Sequence, residues 1–224
     1  MKVLIACEES QATCKAFRKL GIEAYSCDIL PASGGHPEWH IQGDAIKEAY
    51  SGKYELMIAH PPCTYLAVSG ARWMYNKDGS VNQERLKNQN EGLAFVQSLM
   101  DAPIKKIAIE NPVSVISSQI RKPDQIIQPW QFGDEAQKTT CIWLKNLPLL
   151  KHTKIVGKGE FVEFTNDKGK KTRQPKWYFD ALTKAKTTEE RRTLRSKTFE
   201  GIADAFAHQW GLENCVSEQK TLDL

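Results

Sequence analysis

No apolar stretch in the 224-residue chain approaches the length needed to span a bilayer. The run nearest the start, Val3-Leu4-Ile5-Ala6-Cys7, is broken at once by Glu8 and Glu9. That is too short for a signal-peptide core, so a cytoplasmic protein without a membrane partner is expected. Cysteine is sparse and scattered, at 7, 14, 27, 63, 141 and 215. No pair is spaced as C-x-x-C and no histidine clusters with them, which argues against structural zinc and a disulfide framework; no metal is expected. Repeats and low-complexity tracts are also missing. What remains is 41% hydrophobic and 26% charged residues, enough to bury a core without staples, in one soluble domain with a small appendage.

Short apolar runs alternate with longer segments of helical period. Lys2 to Cys7, Glu23 to Asp28, Leu56 to His60, Lys106 to Glu110 and Thr140 to Leu144 read as strands, and such alternation predicts a largely parallel α/β sheet. A first crossover helix follows Ser10 as candidate N-cap, buries Ala16, Phe17 and Leu20, and closes at Gly21. A second spans about Asn82 to Met100 with Leu86, Leu93, Val96, Leu99 and Met100 as its buried stripe. A last helix covers about Glu200 to Trp210, and the tail from Glu213 is expected to fray. The boundaries expected are 1–150 for the α/β body, 151–195 for an insert, and 196–224 for a returning helix and tail.

Positive charge is concentrated in that insert. Residues 151–197 hold 14 Lys or Arg against 6 Asp or Glu, leaving 17 against 21 in the rest of the chain. Glu160 to Phe164 alternates like a strand, Asn166-Asp167-Lys168-Gly169 offers a turn, and Lys170, Lys171 and Arg173 follow, with Trp177, Tyr178 and Phe179 nearby. A basic hairpin beside aromatics suits nucleic acid; a solvated loop is the plainer alternative.

Ligands of open α/β sheets bind beyond the carboxyl ends of the strands. Polar groups end four of these: Cys7-Glu8-Glu9, Cys27-Asp28, His60-Pro61-Pro62-Cys63 and Glu110-Asn111-Pro112. Two prolines stiffen the loop that carries Cys63, a nucleophile if its thiol ionises and otherwise a small buried hydrophobe. Glu110 points to the same rim, or serves a helix N-cap or a surface salt bridge. Asp28 and Asp44 could accept from a ribose and from an adenine amino group, or cap turns. Trp73, Trp130, Trp143 and Trp210 are pocket candidates, with core packing as the default.

The order of these features resembles the cytosine-C5 DNA methyltransferases, and more closely their compact phage and prophage relatives. Pro61-Pro62-Cys63, continued by Ser69-Gly70, is similar to the family's nucleophile motif, and Glu110-Asn111-Pro112 to its Glu-Asn-Val motif. The compact relatives share the look of Phe132-Gly133-Asp134, of Thr140 to Pro148, and of Arg195-Ser196-Lys197-Thr198-Phe199 with Gly201-Ile202-Ala203. The resemblance implies a Rossmann-like S-adenosylmethionine-dependent methyltransferase sheet with a small basic insert, acting as a monomer on DNA, in the host cytoplasm if phage-encoded. It implies Cys63, Glu110, Asn111 and Pro62 as catalytic residues. For the cofactor it implies Ala6, Cys7, Glu8, Glu9, Ser10, Asp28, Ile29, Asp44, Ala45, His60, Pro61, Ser196 and Thr198. Ser69, Arg72, Lys138, Lys170, Lys171 and Arg173 would meet DNA.

The implied chemistry is addition of Cys63 to C6 of a flipped cytosine, helped by protonation or strong hydrogen bonding at N3 by Glu110, so that C5 can take a methyl group. Three departures stand out. The family's Gly-rich cofactor loop is here Cys7-Glu8-Glu9-Ser10, where Glu8 or Glu9 could hold the cofactor's amino group. In its Gln-x-Arg-x-Arg segment Gln137 is kept, but Thr139 and Cys141 replace the arginines, leaving Lys138 or Arg72 to compensate. The recognition region is only about 45 residues, which predicts a short or relaxed target context. A methyltransferase of free pyrimidine nucleotides or another base, and a silent DNA-binding homologue, remain as alternatives.

Overall fold

A computed structural model describes residues 1–165, 169–196 and 198–212. Cys215, Lys197, the Asn166 to Lys168 part of the turn and the tail from Glu213 lie outside the described residues. Among those described, seven strands form one sheet: β1 (Lys2–Ala6), β2 (Glu23–Asp28), β3 (His40–Gln42), β4 (Leu56–Ala59), β5 (Lys106–Pro112), β6 (Gln125–Ile127) and β7 (Thr140–Lys145). Their order is β3-β2-β1-β4-β5-β7-β6. The pairs from β3 through β5 are parallel, while β7 enters antiparallel between β5 and β6. This is the Rossmann-like α/β sheet expected.

Alternation within the strands explains why both sheet faces are covered. Val3, Ile5, Leu56, Ile58 and Ile142 share one core with α1 (Ala12–Lys19) and α7 (Glu200–Phe206). Leu4, Ala6, Met57, Ala59, Ile107 and Trp143 share the other with α2 (Ala45–Ala49) and α3 (Gln83–Met100). Strands buried on both faces read as unbroken apolar runs, which is what Leu56 to Ala59 shows. After α7 the chain widens into a π-helical turn, Ala207–Leu212, where Trp210 stacks on Phe206 with centroids 4.8 Å apart. Trp143 and Trp210 are therefore core residues. Gly201 lets α7 reach the body, because a Cβ there would drive into the Phe132 carbonyl, and its N–H donates to Asp134 Oδ2 at 2.9 Å. That interlock gives the Phe132-Gly133-Asp134 and Gly201-Ile202-Ala203 strings a structural reason.

Past β7 the chain forms a separate hairpin of β8 (Phe161–Thr165) and β9 (Lys171–Pro175), then α5 (Lys176–Thr183) and α6 (Thr188–Ser196). Phe179 packs on Phe164, and Trp177 lies edge-on to Tyr178 and Phe199. These aromatics seat the insert on itself and on the body, with Arg195 over the Tyr178 ring at 5.1 Å and Lys138 over the Phe199 ring at 5.9 Å. A short α4 (Ile116–Gln119) follows β5. No helix of the described residues is long and apolar enough to cross a membrane.

Candidate active site

The strand order reverses between β1 and β4, so the crevice at their carboxyl ends is the topological switch point. The β1–α1 loop that borders it holds its turn without glycine: Cys7 and Gln11 both take left-handed backbone, at φ 61° and 59°. Such a conformation costs an L-residue on the order of 1–2 kcal/mol, and a side-chain clamp at Gln11 offsets it. The buried Gln11 amide donates to His36 O at 2.8 Å and accepts from His36 N at 3.1 Å. Ser33 N–H adds a bond to Glu9 O, so the segment after β2 folds back over the loop.

Two expectations fail at this loop. Ser10 does not cap α1, which starts after Gln11. Glu8 caps it: its carboxylate accepts from Thr13 N at 2.6 Å and Cys14 N at 3.0 Å and is only 4% exposed. The reason is physical, since the first N–H groups of a helix have no intrahelical partner and a carboxylate suits the positive end of its dipole. Glu8 is thus withdrawn from the role of holding a cofactor amine. Glu9 stays half-buried at the rim, its carboxyl held above the usual range by burial and by the charges of Asp28 and Glu8.

At the end of β2, Asp28 Oδ1 accepts from Leu30 N, and the next side chain, Ile29, is 75% exposed. Asp44 caps α2 through Oδ1, accepting from Ile46 N at 2.8 Å, beside the buried Ala45. Cys14 and Cys27 are buried and Cys7 is half-buried, with burial pushing the Cys14 and Cys27 thiols up to about 12 and the Cys7 thiol higher still. Cys141 faces the core from β7. Cys63 is half-exposed in the loop after β4.

β4 and β5 run side by side and bring a polar cluster together at their ends. His60 Nδ1 lies 3.1 Å from Glu110 Oε2, and its Nε2 lies 3.3 Å from Thr13 Oγ1. Burial pushes the imidazole down, but the bond and charge of Glu110 outweigh it and hold His60 above its ordinary value. Burial likewise pushes Glu110 up, yet the His60 bond and the Lys138 and His60 charges carry it below the usual range. The favoured state is an ion pair. Asn111, 1% exposed, donates from Nδ2 to Pro61 O at 2.9 Å and so staples the proline loop to β5; it is a positioning residue. Pro61 is buried and Pro62 exposed. Burial and the Glu110 charge raise the Cys63 thiol, opposed by the charges of Lys138 and Arg195.

Lys138 therefore acts on both Cys63 and Glu110, whereas Arg72 lies over the Trp73 ring at 4.6 Å. Of the replaced arginine positions, Thr139 accepts from Gln128 and Cys141 is core. Arg195 and Thr13 were missed as site residues by sequence reasoning. Arg195 sits within a recognised string, but only the fold brings it near Cys63. Thr198 lines a small cavity with Glu110, Lys138 and Thr140, while Ser196 is exposed at the end of α6. Ser69, Lys170, Lys171 and Arg173 are exposed, Arg173 lying over Phe161 at 4.2 Å. Among the described residues no group of three or more His, Cys, Asp or Glu could hold a metal ion.

No family model matches the chain, and no curated protein matches it. Among solved structures it is similar to a candidate DNA modification methyltransferase encoded within a prophage (E. coli). The identity is 12% and the TM-score 0.38, with 64% of this chain and 46% of that chain covered. The chain thus spans less than half the length of that protein.

Proposed function

We propose that the protein methylates C5 of cytosine in DNA, with S-adenosylmethionine as methyl donor and Cys63 as the covalent nucleophile. The observation that carries this reading is the cluster of Cys63, Glu110 and His60 at adjacent strand ends, with Lys138 charge on the first two. C5 of cytosine is too weak a nucleophile to be methylated directly. Addition of the Cys63 sulfur to C6, with its thiol proton lost to solvent, and a proton supplied at N3 through Glu110 make C5 electron-rich. The proton held on His60 reaches N3 by way of Glu110. Once C5 carries the methyl group, loss of its proton to solvent water lets the Cys63–C6 bond break, and the proton at N3 returns through Glu110 to His60.

The crevice chemistry fits this cofactor. Its ammonium group suits Glu9, its ribose hydroxyls suit Asp28, and its adenine amino group suits Asp44, beside the exposed Ile29. The buried Glu8 carboxylate at the start of α1 would repel a pyrophosphate, the group that dinucleotides set against that helix; S-adenosylmethionine carries no phosphate. When bound, the cofactor supplies an electrophilic methyl group. Exposed Lys170 and Lys171 favour a polymeric substrate over a free nucleotide, and the target base must leave the duplex stack to meet Cys63.

The test uses DNA containing 5-fluorocytosine, whose C5 fluorine cannot leave as a proton. Wild type with cofactor is expected to form a denaturation-resistant adduct. Cys63→Ala should form none and transfer no methyl group, while binding S-adenosylmethionine as wild type does. Methyl transfer to C5 that survives in Cys63→Ala would overturn the mechanism. Label that appears only in free nucleotides would overturn the substrate.

A further inference from the structure

Two residues beyond Cys63 the chain builds a surface that neither core uses. Tyr65, Trp73 and Tyr75 line an open groove of about 560 Å³ with Arg85, Lys77 and Asn82; Glu84 also borders it. Trp73 is 58% and Tyr75 61% exposed. Large aromatic faces in water are an unfavourable arrangement for a surface with no partner. The Arg72 guanidinium sits 4.6 Å from the Trp73 ring and that of Arg85 5.4 Å from Tyr65.

The rings stand on an ordered frame. Tyr75 bridges Val81, Asn82 N–H donates to Met74 O, and Asn82 Oδ1 caps α3 by accepting from Arg85 N. Arg85 Nη2 reaches back to Thr64 O, one residue from Cys63. The groove is therefore continuous with the loop that carries the nucleophile.

Flat π faces interleaved with guanidinium and ammonium groups recognise stacked nucleobases joined by phosphates. Bases inside a duplex have both faces covered, so such rings can be used only by unpaired nucleotides. We infer that this groove binds a short unpaired stretch of the nucleic-acid strand, held beside Cys63. The inference deepens the proposed function by naming the strand state. Its test uses a ligand without cytosine, so its outcome is independent of methyl transfer.

The probe is fluorescein-labelled oligothymidine, alone or annealed to oligoadenosine as a blunt duplex, with binding to the full chain read by anisotropy at fixed salt. The single strand is expected to bind more tightly than the duplex. Trp73→Ala and Tyr75→Ala should each weaken single-strand binding by roughly five- to a hundredfold. Trp73→Phe should recover most of the loss, and thermal unfolding should be unchanged because both rings are exposed. Alanine variants that bind oligothymidine as wild type does would overturn the inference and leave the groove to a protein partner. Tighter binding of the blunt duplex than of the single strand would overturn it as well.

Discussion

His60 and Glu110 face each other across adjacent parallel strands, Nδ1 to Oε2 at 3.1 Å, with both side chains largely buried. His60 is held above its ordinary value near 6.5, so the stability it gains is complete below about pH 6.5 and is lost as pH rises through the raised value. Glu110 is held below the carboxylate range, so its share is present above about pH 4.3 and is lost as pH falls through the lowered value. His60→Gln should therefore destabilise the fold by about 1–3 kcal/mol, most strongly between about pH 4.5 and 6.5. Urea unfolding of both proteins across that range checks this. The alkaline limb of the methyl-transfer profile should move to lower pH in the variant, because the proton store beside Glu110 is gone.

Gln11 combines a left-handed backbone with a two-bond clamp on His36. Gln11→Ala keeps the strain and loses the clamp, for an expected cost of about 1–3 kcal/mol. Gln11→Gly loses the clamp but relaxes the strain, and should be milder by about 1 kcal/mol. Denaturant midpoints of the two variants test that order.

Lys170, Lys171 and Arg173 are exposed on one strand of the hairpin and its approach. Their joint replacement by Ala should weaken DNA binding across sequences. It should also lower the slope of log affinity against log salt by up to about three. A titration series at several salt concentrations measures both. An unchanged slope would remove the hairpin from the DNA path.

Gly201→Ala places a methyl group against the Phe132 carbonyl and should loosen α7 from the body, at about 1–3 kcal/mol or more. Gly157→Ala, where a Cβ meets open space, is the control expected to leave thermal unfolding nearly unchanged.

The apolar runs of β1, β4, β5 and β7 are legible because double-faced burial writes itself as continuous hydrophobicity, whereas β2, with Glu23, Ser26 and Asp28, is marked by its place after the first crossover helix. β3 and β6 are not legible, since three residues such as His40 to Gln42 carry no periodicity. The antiparallel entry of β7 is a tertiary choice with no local signature. At the site, Cys63 and Glu110 were readable from strand-end chemistry and the family resemblance. The cap by Glu8 was not, because an acid at the end of a strand looks the same whether it faces a ligand or a helix. The link from His60 to Glu110 spans 50 residues of sequence, and only strand adjacency creates it.

Asn111 fastens the proline loop to β5, and His60 and Glu110 leave neighbouring strands, so the geometry of the cluster is set by inter-strand spacing of about 4.8 Å. His60 and Glu110 are in this sense fixed by the sheet and not by a mobile lid. Heating should therefore leave little room for an inactive yet folded species: thermal inactivation and the cooperative melting of the sheet are expected to coincide.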